Sequence, residues 1–546
     1  MMGRKSLPTS LVFVALISGV GRADDKPLNI GSDKQLFVGP WTKDGRDAFL
    51  VESMQNVTMT MNEARVTGGR LIEIDKPWEE SKTGHNRVPA GNGIIRDGDT
   101  WRMYYQALSK YPGYTQEPYC IILCYAESQD GIHWSKPDLG LCKWKGSRDN
   151  NILFPNDDFP YEFSHLGVKS VFIDPRAPKP DEKYKMTMKL TPVSGEAAGS
   201  TGLQPLPHRK GKYGFVSPDG IHWTMATGRL GQSGDGDFSP LWDERIGKYV
   251  AYSRVKKMND PRQIKYYRDK YGDYELNWRA RVIKTARSVS DDFVNWSKPR
   301  VVIDTDEIDE VNLAPRGISF HGGEVSLYPE APGIYIGLPQ VFSHWKAELQ
   351  HNGELSPRPG TVDVQLITSR DGIQWNRAPG RKPLLRMGPE GTFWSKQIRT
   401  FPGRTFRVGD ELWIFFVGYD VPQHELASGN GGLGRAVLRL DGFISANSAY
   451  TGGELVTKPL VFSGSKLQLN CETSAGGFVQ VEIQDQEGKP IEGFTAEDER
   501  DQINGNYIRV LSTWKGNPDV ISLAGKPVRL RFVMRDAKLY SFQFLP

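Results

Sequence analysis

Asp235 and Asp237 flank a single glycine directly ahead of Phe238-Ser239-Pro240-Leu241-Trp242, a short run that reads as a strand. Two carboxylates in a concave site, one kept protonated and one ionised, can break a glycosidic bond. The acid protonates the leaving oxygen while the other group activates water or attacks the sugar carbon. Two further acids stand beside short apolar runs. Asp174 ends Val171-Phe172-Ile173, and Glu310 precedes Val311-Asn312-Leu313. This yields four candidate catalytic carboxylates: Asp235 or Asp237 as general acid, Asp174 or Glu310 as base. His85, Arg87, Arg254 and Trp394 are candidates for holding a sugar by hydrogen bonds and ring stacking, together with Asn92 and Arg399 at the starts of their own strand-like runs. Other readings stand beside these. Asp174 precedes Pro175 and could simply end its strand, and Glu310 follows the acidic run Asp304-Thr305-Asp306-Glu307 and suits a solvated loop. Asp97, Asp99 and Asp243 read as turn residues. No CxxC pair or HExxH occurs, so neither metal nor cofactor is expected from spacing.

Acids so far apart in sequence can meet only if an architecture gathers them. A repeat supplies one. Ser, then Asp two residues on, then Trp four further on, occurs at Ser128-Asp130-Trp134, Ser217-Asp219-Trp223, Ser290-Asp292-Trp296 and Ser369-Asp371-Trp375. Each copy follows a strand-like run, and three copies contain Asp-Gly, a hairpin-turn pair. The unit reads as the outer hairpin of a β-propeller blade, with Trp wedged between blades. The tryptophans are 89, 73 and 79 positions apart. At that period residues 85–450 hold five blades, with Asp441-Gly442-Phe443 as a degenerate last copy. In a propeller the innermost strand of each blade lines a central funnel. Carboxylates where those strands begin can converge on the funnel.

The expected fold is all-β: a five-bladed β-propeller followed by a C-terminal β-sandwich. Residues 24–84 form an N-terminal capping segment that closes the propeller. After Thr451 the period becomes strictly two, with Val479, Val481 and Ile483 on one face and Val528, Leu530, Phe532 and Met534 on another. This reads as a sandwich over 451–546. Two insertions, 256–282 with five aromatics among Arg and Lys and 342–361 with His344, Trp345 and His351, suit sugar rings, anionic ones in particular. They also suit solvated loops. Gly429 to Gly434 matches GxGxxG but has no strand before it or helix after it, and reads as a flexible loop rather than a nucleotide cradle.

Arg4-Lys5 precede an apolar run from Leu11 to Val20, and Gly21-Arg22-Ala23 offers small residues for cleavage. Residues 1–23 read as an export signal, too short for a stable membrane span, so a secreted or periplasmic location is expected. Removing them lowers the formal charge from +4 to +1, which argues against a nucleic-acid partner. The 58 glycines and 36 prolines among 546 residues suit a turn-rich all-β chain. The four cysteines suggest no disulfide.

Five blades, an export signal and a trailing sandwich resemble the secreted invertase, levanase and arabinanase group of five-bladed glycoside hydrolases. Gln35-Leu36-Phe37-Val38, Asp75-Lys76-Pro77-Trp78-Glu79, Tyr125 to Trp134 and Asp441 to Ser445 also look like exported proteins of polysaccharide-degrading planctomycete-type bacteria, a resemblance over nearly the whole mature chain that implies no particular activity. The first resemblance implies a hydrolase acting on an oligo- or polysaccharide. The chain departs from that group at its motifs. The Asn-Asp-Pro nucleophile motif is absent, and Arg-Asp-Pro is echoed only by Ile173-Asp174-Pro175. Asp235-Gly236-Asp237 stands in roughly the blade of the Glu-Cys acid motif. Asn92 occupies the place of the arabinanase-like catalytic Asp. A single-displacement, inverting reaction fits the missing nucleophile better. The alternatives are a non-catalytic glycan-binding propeller and a cell-surface structural module.

Overall fold

The computed structural model describes residues 26–79, 91–109, 120–163, 165–193, 204–206, 211–230, 238–256, 265, 269, 283–306, 308–309, 318–322, 324–344, 360–425, 429–498 and 502–546. These residues are all-β, with only single-turn helical pieces, in a propeller-like arrangement.

Four separate antiparallel sheets have four strands each, laid side by side in chain order. The first holds Gly91–Asp97, Thr100–Ser109, Cys120–Ser128 and Ile152–Phe154. The second holds His165–Ile173, Tyr184–Thr191, Gly211–Ser217 and Thr224–Arg229. The third holds Phe238–Asp243, Lys248–Lys256, Ile283–Ser290 and Arg300–Ile303. The fourth holds Val325–Tyr328, Ala331–Gly337, Ile367–Ser369 and Asn376–Arg377.

An eight-stranded sheet continues the series. Ile318–Phe320, Gln340–His344, Gly360–Gln365 and Pro383–Leu385 extend the strands of the fourth sheet beyond a break in each. A single parallel bridge, Val362 to Gln397, joins them to Gln397–Val408, Glu411–Tyr419 and Gly431–Arg439. The last of these pairs with Arg65–Thr67 from the N-terminal region. First strands of successive sheets touch in a closed ring. Gly91–Asp97 lies against His165–Ile173, that against Phe238–Asp243, that against Val325–Tyr328, that against Gln397–Val408, and the last against Gly91–Asp97.

The glycine-rich run is not a loop beyond its first two residues. Gly431–Arg439 is a strand, and it lacks side chains where aromatic rings lie across it. A Cβ on Gly434 would stand 2.4 Å from the Phe416 ring, and one on Gly432 2.9 Å from that of Phe393. Close approach of rings to backbone, rather than phosphate binding, accounts for the glycines.

The repeat is a clamp between neighbouring sheets. In the first copy Ser128 Oγ accepts from the Gly131 N–H at 2.8 Å, and Asp130 Oδ1 accepts from the N–H groups of Ile132 and His133 at 2.8 Å each. Gly131, Gly220 and Gly372 all have φ between +70° and +78°, which favours Gly. The third copy has Phe293 there at +67°, and that ring is buried against Phe172, Tyr249 and Trp296. The tightened turn offers carbonyls to the preceding sheet. Tyr104 Oη donates to Gly220 O at 3.0 Å, and Tyr252 Oη to Gly372 O at 2.8 Å. Trp223 and Trp375 lie edge-on to those same tyrosines. The first and last sheets meet through Trp101 stacked on Trp413, with centroids 5.8 Å apart, in one apolar cluster with Ile94, Met103, Phe415 and Val417. Burial of each such side chain contributes about 1.5–3 kcal/mol.

Acid should weaken these turns. The Asn295 backbone N–H, with further donors from its side chain and Val294, holds the Asp292 carboxyl at about 2. Burial pushes Asp219 up, but donors from His222 and Ile221 outweigh it and leave that carboxyl also at about 2. Both folded values lie below the unfolded value of about 3.9. Their contribution is therefore full above that value and lost as the pH falls toward 2. Thermal unfolding scans should show Tm level from about pH 7 to 5 and falling below about pH 4, with a smaller fall for Asp292→Asn. An unchanged acid slope in that variant would count against the linkage.

The chain ends share one ten-stranded sheet. Leu28–Gly31 runs parallel to Leu460–Phe462, Val51–Gln55 pairs with Gly453–Thr457, and Val57–Met61 with Ile444–Ser448. Lys466–Asp485 and Val528–Leu545, twenty and eighteen residues long, form its spine. Asp441, in the turn after Gly431–Arg439, is 1% exposed and joins the parts. It receives Tyr328 Oη at 2.5 Å, Ser541 Oγ at 2.8 Å and Lys34 Nζ at 2.9 Å. No helix among the described residues is long and apolar enough to cross a membrane. Cys124, Cys142 and Cys471 are buried and form no disulfide among the described residues.

Candidate active site

Four of the five first strands line a cavity of about 330 Å³ at the axis. Its wall comes from Ser170 to Ile173, Ser239 to Trp242, Val325 to Leu327, and Thr405 with Phe406. Beside the leading residue of Val325–Tyr328 stands Glu324, 1% exposed. Its carboxylate accepts from Ser239 Oγ at 3.2 Å, across from the third sheet, and from Gln340 Nε2 at 3.3 Å. Gln340 Nε2 also reaches Thr400 O at 3.2 Å in the strand Gln397–Val408, and Thr400 Oγ1 donates to Leu338 O at 3.1 Å. His321, Gln397 and Ser170 are also buried near the leading parts of these strands. A carboxylate removed from water is costly unless polar groups surround it. Here the third sheet and the eight-stranded sheet supply those groups, so the meeting of sheets assembles the cluster.

Glu324 is not among the acids expected from the sequence: Val311-Asn312-Leu313, expected to lead this blade, lies outside the described residues, and the first strands among the described residues are Ile318–Phe320 and Val325–Tyr328. The available signal was a Glu directly ahead of Val325-Ser326-Leu327-Tyr328, a run weakened by its serine.

Asp174 follows the trailing end of His165–Ile173, whereas Asp235 and Asp237 precede the leading end of Phe238–Asp243. It is 4% exposed. Lys185 Nζ lies 2.7 Å from Oδ2 as an ion pair, off the axis of an aligned hydrogen bond, and Tyr249 Oη donates to Oδ2 at 2.6 Å. The same tie recurs around the ring. Asp97 at the end of the first strand of sheet one takes Tyr184 Oη and Lys183 Nζ, the latter at 2.9 Å. Asp243 at the end of that of sheet three takes Tyr335 Oη and Arg245 Nη2, the latter at 3.0 Å. An Asp at the trailing end of one inner strand thus anchors a Tyr on the second strand of the next sheet.

Asp235, Asp237, Glu310, His85 and Arg87 lie outside the described residues, as does most of both insertions. Asn92 falls at a register shift between Gly91 and Gly93 at the leading end of its strand. Arg254 pairs with Thr285 in the third sheet. Arg399 Nη2 donates to the side-chain carbonyls of Gln397, at 2.5 Å, and Gln423. Trp394 is part-buried and packs edge-on against Phe393 and Phe416 in the bend before Gln397. Among the described residues no group of His, Cys, Asp and Glu could hold a metal ion.

No family model matches the chain, and no curated protein matches it. Solved structures similar to it include three carbohydrate-active proteins. A protein described as a glycoside hydrolase is 12% identical, over 70% of this chain and 92% of that one, with a TM-score of 0.40. The β-1,2-mannobiose phosphorylase of Listeria innocua, in complex with β-1,2-mannobiose, is 12% identical over 70% and 97%, with a TM-score of 0.42. A glycoside hydrolase family 43 arabinoxylan arabinofuranohydrolase from Bacillus subtilis, in complex with cellotetraose, is 11% identical over 87% and 99%, with a TM-score of 0.35.

Proposed function

We propose that this chain is an exported glycoside hydrolase that cleaves an extracellular or periplasmic glycan with carboxylates gathered at the axis of a five-bladed propeller. The observation carrying the reading is Glu324. It is a buried carboxylate at the ring of inner strands that accepts from Ser239 and Gln340. The closed ring of five first strands supports five blades, with Gln397–Val408, Glu411–Tyr419, Gly431–Arg439 and Arg65–Thr67 as the fifth. The two long C-terminal strands, with their pairing partners, supply the sandwich-like part. The Arg4-Lys5 and Leu11 to Val20 pattern supports export.

In this reading Glu324 is one member of the acid/base pair, and Asp235 or Asp237, next to Phe238 and so to Ser239, supplies the other. Asp174 acts as an anchor between blades rather than as the base, because its Oδ2 is committed to Lys185 and Tyr249 and its Oδ1 accepts from the Arg176 backbone N–H. Changing Asp235 and Asp237 together to Asn should abolish release of reducing ends and leave Tm nearly unchanged. Full residual turnover would remove these two acids from the mechanism. A glycan-binding propeller without catalysis would instead give saturable binding and no product.

A further inference from the structure

A second cavity, of about 900 Å³, lies against the extended fourth sheet, beside Asp306 to Asp309 and the Pro40 to Gly45 segment, and shares no lining residue with the axial cavity. One wall is the face of the extended fourth sheet that presents Val341, Ser343, Asp363 and Gln365. The opposite side carries Asp306 and Asp309, and Trp41 and Trp375 contribute aromatic surface. Its arginines are already neutralised. Arg381 Nη1 donates to Asp309 at 2.9 Å and Arg381 also pairs with Asp306, while Arg377 donates to Asp309 at 2.8 Å and to Gln365 at 2.6 Å. Three polar atoms on this lining make no hydrogen bond although each is shielded from solvent: Asp363 Oδ1, Arg377 Nε and Trp41 Nε1. Unmet buried polar groups are costly, and three belong to side chains that line this one cavity.

We propose that this crevice binds a neutral oligosaccharide at a site separate from the axis. A sugar hydroxyl donates and accepts, so it suits the carboxylate and the N–H groups together, and the C–H face of a pyranose packs on indole. An anionic sugar fits poorly, because three carboxylates face two guanidiniums that are already paired. The volume accommodates several sugar units. Burial holds the Asp363 carboxyl up at about 6, partly offset by Arg386 and Arg377, as an unpaired carboxylate in such a place should be. The inference stands independently of catalysis at the axis.

The test is calorimetric titration of the full mature chain with cellotetraose, mannotetraose and xylotetraose. The variants are Ser343→Trp, which fills the crevice, Asp363→Asn, and Glu324→Gln at the axis, each checked by Tm. At least one sugar should bind the wild type saturably. Ser343→Trp should abolish that binding, Asp363→Asn should weaken it about tenfold, and Glu324→Gln should preserve it. No binding by the wild type up to about 20 mM would overturn the proposal. So would binding that survives both crevice variants, or that disappears only with Glu324→Gln. Should Ser343→Trp fail to fold, the Asp363→Asn result decides.

Discussion

Glu324→Gln should lower turnover on the chain's glycan substrate by about a hundredfold or more, the usual contribution of a positioned acid or base. Tm should remain close to that of the wild type. Gln has nearly the shape of Glu, so packing beside Val325 is retained, and an amide oxygen can still accept from Ser239 Oγ or Gln340 Nε2. Only proton transfer and charge are lost. If Glu324 is merely a polar strut of the ring, turnover will track the folded fraction. Product release by the folded variant equal to that of the wild type would then exclude it from the chemistry. Initial rates beside thermal unfolding in the same preparations separate the two cases.

Asp174→Asn should behave in the opposite way. The Lys185 side chain is 4% exposed and would be left buried with only Glu182, 3.6 Å away, as counter-charge, while Tyr249 would keep a neutral acceptor. Breaking a buried ion pair from one side costs roughly 3–5 kcal/mol, several times the effect of a surface substitution. Below its lowered Tm the folded variant should retain turnover, because Asp174 sits at the trailing end of its strand. Denaturant unfolding gives the first quantity and initial rates at low temperature give the second. A stable but inactive variant would return Asp174 to the role of base. Asp97→Asn should be milder, since Lys183 is 44% exposed on its side chain and the pair is screened by water.

The turns were legible in the sequence because their chemistry is local. Ser, Asp and Gly at fixed spacing bond one another's backbone, and no distant residue is needed to specify them. The tyrosines that receive these turns, Tyr104 and Tyr252, were not legible as partners. They lie 116 and 120 residues away, and no local pattern encodes that pairing. The same holds for the ten-stranded sheet, where Val57–Met61 meets Ile444–Ser448 across nearly the whole chain. Glycines misled where they admit aromatic rings rather than turn the backbone, as at Gly432 and Gly434. At the candidate site, acids next to short runs drew attention regardless of strand end. Asp174 and Asp243 occupy equivalent tie positions, and only the observed partners reveal that. Glu324 was hidden because the fourth blade's inner strand is broken into Ile318–Phe320 and Val325–Tyr328, which moves the carboxylate from the expected rim to the middle of the strand path.

The most direct test is a screen of the purified mature chain and its Glu324→Gln variant against plant and algal polysaccharides, sulfated ones included, with released reducing ends read beside thermal shift. The account predicts product from at least one glycan with the wild type and none with the variant, while that glycan still raises the variant's Tm. Stabilisation of both proteins by a glycan that neither cleaves would contradict a hydrolase and leave a glycan-binding propeller.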